Sequence, residues 1–454
     1  MGKKRSFLTA SGALFSARQL WTLLWPLVIE QLFSVLIGMI DVLMVSYIGE
    51  AAVSGVSLVD SVNHLILQVL FALTAGGTVV CAQYTGRKDP AAAGKSCGQL
   101  IMVTVLSMFC LTAVFLSGGK SLLALIFGSV EPRVMADAVI YMRYTAASFP
   151  FLALYHGLSA GFRAQGNTRV SMLVSMGMNV LNVLGNAFCI FVLGMGVAGV
   201  AIPTLLARAV GAAAMLLLFQ QGKNEIRIGS FRQMKPEGTI LRQMLSIGVP
   251  NSVESALFNV GKVALQSLVS TLGTASIAAY AVASNLATYL YLPGNALGAA
   301  MITVVAQCHG AGKPEQGKQY AKLLIALNYG MLAPICAALI IGRGFWVSCY
   351  HLSANAAALG AGLILAHAVA MLIWPVAFLL PYYFRAVGRA GFTMTVALFA
   401  MAVFRVGLAY VCVKLLGKNV LWIWYAMFAD WLFRTVIYSD AFRREKRGAP
   451  QRPL

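Results

Sequence analysis

Glu30, Asp41, Asp60, Arg143, Arg208, Glu254, Lys262, His367, Arg405 and Asp430 interrupt long apolar runs of this 454-residue sequence. A charge inside a bilayer is costly unless it meets a partner or water, so each position marks either transport chemistry or a structural ion pair. Asp41 leads, because a carboxylate deep in the first apolar run can take up and release a proton. Eleven residues turn a helix about three times, so Glu30 shares a face with Asp41. Asn182 and Asn186, four apart, share a face by the same rule. Glu254 stands in the second half where Glu30 stands in the first. These two glutamates either touch protons or substrate, or lock a gate through nearby arginines. Lys262 is two turns from Glu254, roughly 12 Å, too far for a close pair. Arg208 needs an acid, with Glu30 or Asp41 as candidates, while Arg405 and Asp430 would neutralise one another across the last two runs. His367 could titrate near neutral pH, but a hydrogen-bonded structural histidine is the simpler reading.

No other chemistry stands out. The eight cysteines are scattered without CxxC or ligand-like histidine spacing and read as small hydrophobes. Neither a nucleophile–base pair, a metal cluster nor a GxxxxGK[ST] motif emerges. The chain is therefore expected not to be an enzyme, to need no cofactor or structural metal, and to draw on an ion gradient rather than nucleotide.

The elements that carry these residues follow from composition. Hydrophobic residues make up 59% of the chain and charged residues 11%, against roughly a quarter charged in soluble domains. The formal charge of +20 is spread between apolar runs, which excludes a nucleic-acid surface. The runs, about 20 to 28 residues long and without two-residue alternation, must be helices. Twelve are expected, near 19–47, 53–83, 96–117, 134–158, 170–193, 196–220, 241–271, 277–306, 319–342, 356–382, 391–414 and 418–439, the tenth breaking at Pro375 or Pro381. Alternate connections and the tails hold 24 Lys and Arg; the opposite side holds only Lys120, Arg133, Arg343, Lys414 and Lys418. Both termini are then cytoplasmic.

The sequence also repeats itself. At an offset of 224, Pro26 pairs with Pro250, Glu30 with Glu254, Gly49 with Gly273, and AQYTGRKDPAAAGK from Ala82 with AQCHGAGKPEQGK from Ala306. FRAQGNTR from Phe162 matches FRAVGRAG from Phe384 at offset 222. The expected fold is all-α and polytopic, with twelve transmembrane helices in two pseudo-symmetric six-helix bundles. Residues 1–17 form a cytoplasmic tail, 18–220 the first lobe, 221–240 a cytoplasmic linker, 241–440 the second lobe and 441–454 a basic cytoplasmic tail. Six is even, so the repeats run parallel, related by an axis along the membrane normal, as in transporters whose halves rock about a cavity. The glycine- and proline-containing turns after the second and eighth helices are expected to let the chain run along the cytoplasmic surface.

Proline early in helix 1, MIDVLMVSYIGEAAVSGVS, the two AQ(Y/C)xG motifs, FRAQGNT, and NVLNVLGNAFCIFVLGMGVAGVAIPT occur in order from about residue 18 to 440. This pattern resembles the multidrug and toxic compound extrusion (MATE) transporters, and within them the bacterial DinF-like branch, named for a DNA-damage-inducible member. The resemblance implies V-shaped lobes in the bacterial cytoplasmic membrane, working as a monomer among lipids, that exchange H+ or Na+ for organic, often cationic, compounds. It further implies that Asp41 is the cation-responsive acid, accompanied by Asn182, Asn186 and Thr204. Their oxygens would make either a Na+ site or a hydrogen-bond network sensitive to protonation. Many relatives carry an acid where this chain has Asn186, so a Na+ site here holds one fewer negative charge, which favours protons.

Aromatic and methionine side chains on helices 1, 2, 7 and 8 are candidate cavity walls: Met39, Met44, Gln68, Phe258, Asn259, Tyr289 and Tyr291. Basic residues within the spans would suit an anionic cargo, so a lipid or polysaccharide-precursor flippase, or a metabolite exporter, is the alternative to drug export.

Overall fold

The computed structural model describes residues 12–128, 130–221, 226, 235–350 and 352–445. The sequence before residue 12, most of the 221–240 linker and the tail after residue 445 lie outside the described residues. The elements are α1 (Ala17–Ser46), α2 (Glu50–Gly86), α3 (Pro90–Phe127), α4 (Pro132–Ala164), α5 (Thr168–Ala187), α6 (Ala198–Gln220), α7 (Gly238–Ser270), α8 (Thr274–Gly310), α9 (Pro314–Ile341), α10 (Arg343–Ser348), α11 (Ala354–Ala370), α12 (Trp374–Ala386), α13 (Ala390–Ala400) and α14 (Val420–Arg444). Helix α5 runs on into a π-helical turn, Phe188–Val192, and α13 into two more, Met401–Leu408 and Val411–Leu415.

Among the described residues, nine helices are long and apolar enough to cross a membrane, or ten if the bent pair α11–α12 is one span. Helices α4 and α7, 33 residues each, are long but richer in polar side chains. The 52° bend between α11 and α12 has a local cause. Pro375 cannot donate to the Met371 carbonyl and its ring would collide with it, so the helix stops over Met371–Ile373 and restarts at Trp374. Pro381 stays inside α12.

The chain forms two compact units, Met1–Gly248 and Val249–Leu454, divided inside α7. In the first, Val59, Leu70, Met108, Tyr141, Met142 and Phe149 of α2, α3 and α4 share one buried cluster. Gly55 lets α2 touch the α4 backbone, since a Cβ there would lie 2.9 Å from the Val134 carbonyl oxygen. In the second, Leu268, Leu290, Leu363, Trp374, Trp424 and Trp431 close the corresponding core.

The repeat persists in the backbone. Gly166 (φ 81°) matches Gly388 (φ 83°), and Gly194 (φ 64°) matches Gly417 (φ 60°). The Asn167 N–H donates to the Phe162 carbonyl at 3.0 Å, as Arg389 does to Phe384 at 2.8 Å. Both π-helical turns close alike, Leu193 to Phe188 at 3.2 Å and Leu416 to Val411 at 3.1 Å. The connections after α2 and α8 correct one expectation. They do not run along a surface but are three-residue turns, Arg87–Asp89 and Ala311–Lys313, ended by Pro90 and Pro314 at the start of the next helix. A left-handed residue reverses the chain in each: Lys88 (φ 59°) in one and Gly312 (φ 70°) in the other.

A Cβ at Gly312 meets nothing within 4 Å, so only its backbone conformation opposes a side chain. We expect Gly312→Ala to cost about 1 kcal/mol and Lys88→Gly to be neutral or mildly stabilising. Thermal unfolding in detergent reads both, and equal responses would refute the strain assigned to these turns.

Candidate functional site

In the first unit a polar chain crosses three helices. The Asn186 amide donates to Asp41 Oδ1 at 3.0 Å and leans on Asn182 Oδ1 at 3.4 Å. The Asn182 amide donates to the Thr204 hydroxyl at 2.9 Å, and that hydroxyl donates to the Val200 carbonyl at 2.8 Å. Helix α1 thus supplies the acid, α5 two amides one turn apart, and α6 the hydroxyl. Asn186 is fully buried, and its own Oδ1 has no partner. Since a buried polar atom without a partner costs roughly 1–3 kcal/mol, this acceptor sits ready for a donor or a cation.

Beside this chain stands a second acid. Asp60 is near enough to Asp41 for the two to repel, accepts from the Tyr141 hydroxyl, and is bonded by the Asn63 amide at 3.4 Å. Arg208 faces Asp60 and Tyr141 and donates to the Ser148 hydroxyl at 2.7 Å. Its acid is therefore Asp60, not Glu30 or Asp41. This part of the first unit thus holds two carboxyl groups and one guanidinium.

The second unit reverses the balance. Asp430, fully buried, is held by Arg434 Nε at 2.6 Å and by Arg405 Nε at 3.0 Å. Arg434 also donates to the Ala397 carbonyl at 3.1 Å. Lys262 Nζ and the Arg405 guanidinium lie over the Phe258 ring at 5.7 and 5.0 Å from its centre. At the offset of 223 that relates the π-helical turns, Arg405 takes the place of Asn182; at 222, Asp430 takes that of Arg208; at 224, the buried Leu265 takes that of Asp41. The repeat keeps its backbone while its charges are gained, lost or reversed at these three positions.

The glutamates take other partners. Glu254 pairs with Arg385 at 2.8 Å, and Glu30 faces Arg163, the residue matching Arg385 in the FRA motifs. Glu30 and Asp41, although on one helix face, meet different groups. His367 bonds the Tyr291 hydroxyl through Nε2 at 3.0 Å and is enclosed by Trp424, Phe428 and Trp431.

Of the candidate wall residues, Phe258 and Tyr291 join the charged cluster of the second unit. The Asn259 amide donates within its own helix to the Ser255 carbonyl at 2.8 Å, and Tyr289 lies toward Tyr350. In the first unit Met39 is exposed, Met44 half-buried, and Gln68 lies 3.4 Å from His64. Two participants escaped the sequence reading. Arg434 stands one turn after Asp430, a spacing that signals an ion pair. Tyr141 gave no such signal, because its partner is 81 residues away. No group of three or more His, Cys, Asp or Glu that could hold a metal occurs among the described residues.

The sequence matches the MatE family over residues 26–188 and again over 250–411, and the chain belongs to that family. Both matches begin at the paired prolines, 224 residues apart. The chain is 26% identical to the uncharacterized transporter YisQ of Bacillus subtilis over 61% of each protein. It is 25% identical to the probable multidrug resistance protein NorM of Thermotoga maritima over 66% of this chain and 64% of that one, so these alignments span less than two thirds of either relative. Solved structures align over 97% of both chains. They include a MATE protein in a bent conformation (TM-score 0.87, 19% identity) and an outward-facing multidrug resistance MATE family transporter (0.88, 18%). A third is a Pyrococcus furiosus MOP superfamily transporter described as having a binding pocket of reverse polarity (0.87, 20%). The fold is that of MATE proteins, a multi-pass membrane architecture. Members of the family are transporters that catalyse no covalent step, so the chain is not an enzyme.

The two clusters respond differently to loss of an acid. Asp430→Asn strands two buried guanidinium groups and should cost about 3–5 kcal/mol. Asp41→Asn keeps an acceptor for Asn186 and should cost about 1 kcal/mol or less. Thermal unfolding of both variants decides, and equal destabilisation would contradict the structural role given to Asp430.

Proposed function

We propose that the chain is a secondary active antiporter of the bacterial cytoplasmic membrane. It exports organic compounds in exchange for protons, with Asp41 as the proton-carrying group. The arrangement is read as twelve spans in two six-helix lobes, with both termini cytoplasmic. It counts α11–α12 as one span and includes the polar helices α4 and α7. On its sequence motifs the protein belongs with the DinF-like branch. Export is favoured by relatives described as multidrug resistance or export proteins.

The observation that carries the proposal is the polar chain Asp41–Asn186–Asn182–Thr204 with its unpartnered Asn186 Oδ1. An ionised Asp41 accepts from the Asn186 amide. A protonated Asp41 becomes a donor, and the acceptor within reach is the other end of that amide. Rotating the amide satisfies it but removes the Asn186 contact to Asn182, which in turn frees Asn182 to change its bond to Thr204. One proton thus rewires α1, α5 and α6 together, the local event that rocking of the lobes requires. Sodium could instead be held by Asp41, Asn182, Asn186 and Thr204, but three of its four ligands would be neutral.

Efflux from proteoliposomes under separate H+ and Na+ gradients tests this, with a fluorescent organic cation, the cargo the resemblance implies, and a fluorescent organic anion. A proton gradient alone should drive wild-type transport, and Asp41→Asn should lower it by about tenfold or more, the scale of a lost proton-transfer group. Asn186→Asp, which adds a charge, should create Na+ dependence. Undiminished proton-driven transport by Asp41→Asn would sink the mechanism.

A further inference from the structure

Arg405 and Arg434 meet a single carboxylate, Asp430, and Lys262 shares the Phe258 ring with Arg405, so cations outnumber acids in this part of the second unit. Asp430 is already paired with both Arg405 and Arg434. No ion pair of Lys262 occurs among the described residues, and the charge it lies toward is another cation, Arg405. Glu254, two turns away on the same helix, is committed to Arg385.

A lysine near a helix end often escapes hydrocarbon by reaching to the nearer interface. Lys262 instead follows the usual lean of helical side chains toward the helix N-terminus, onto residue i−4. It lies eight residues before the end of α7 at Ser270, yet its ammonium rests over Phe258, one turn back from that end. The side chain is turned toward the charged cluster, where Arg405 occupies the same ring. Two cations sharing one aromatic ring repel each other. Lys262 is exposed and Phe258 half-buried, so the ammonium is open to a ligand, whereas Arg405 is 4% exposed behind it.

We infer that Lys262, backed by Arg405 and floored by Phe258, forms a binding site in the second unit for the anionic group of an aromatic organic compound, a carboxylate, sulfonate or phosphate. The ammonium would donate to the anion's oxygens, Arg405 would add field from behind, and Phe258 would meet the compound's ring. The inference rests on the transport reading and sharpens it: the cargo is an organic anion or zwitterion rather than a simple cation.

Equilibrium binding in nanodiscs, with no gradient present, separates this site from the coupling mechanism. The probes are carboxyfluorescein and rhodamine 6G, xanthene dyes of opposite charge, followed by fluorescence polarisation in phosphatidylcholine discs. Carboxyfluorescein should bind wild type the more tightly. Lys262→Met should weaken it by about tenfold or more, while Lys262→Arg should stay within about threefold, as expected for a charge-assisted contact. Discs containing phosphatidylglycerol identify the source of the anion: displacement of the dye makes a lipid headgroup the occupant, and no displacement makes it a soluble compound. No binding of carboxyfluorescein by wild type, equal or tighter binding of rhodamine 6G, or unchanged affinity in Lys262→Met would overturn the inference. The comparison of the two dyes on wild type stands even if a variant fails to fold.

Discussion

An ionised side chain in a hydrocarbon slab must find a partner, water or a reason to change its protonation, and the arrangement of this protein is organised by that constraint. Several buried or half-buried charges meet partners from distant parts of the chain, as Asp430 meets Arg405 and Glu254 meets Arg385. Asp430 ties α14 to the π-helical extension of α13 through Arg405, and Glu254 ties α7 to α12 through Arg385. Such pairs contribute little net stability, because desolvation offsets most of their attraction, but leaving one member unpaired is expensive. They therefore specify which helices must be neighbours more than they strengthen the fold.

Against that background, the polar chain at Asp41 stands out because it is incompletely satisfied. Its acid meets amides and a hydroxyl rather than a guanidinium, so no fixed positive charge holds it ionised. A site that must change protonation cannot be locked by an arginine, whereas a site that must stay charged needs one. The repeat makes the contrast legible, since equivalent backbone positions carry Asn182 and Arg405. One repeated geometry carries an acid among amides in one half and an acid between arginines in the other.

The π-helical turns fit this division. Two of them, Phe188–Val192 and Val411–Leu415, end equivalent helices, and the third, Met401–Leu408, carries Arg405. Helix widening of this kind re-aims side chains and recurs at functional sites. Gly261 helps on the facing helix, since a Cβ there would run into the Met401 side chain, and its absence lets α7 lie close to the turn.

Much of this was determined along the chain. Hydrophobic runs set the helices, because backbone polar groups in a bilayer have no other way to be satisfied. The repeated prolines, glycines and AQ(Y/C)xG turns revealed two halves, because helix stops and left-handed turns depend on local residue type. The pairing of Asn182 with Asn186 was visible from their spacing on one helix. Tertiary structure decided what the charges do. That Arg208 faces Asp60, that Glu254 takes Arg385, that Tyr141 reaches Asp60, and that Lys262 turns back over Phe258 depend on which helices lie side by side. A one-dimensional pattern records the periodicity of each helix, but not the rotation and contact that bring one helix face against another.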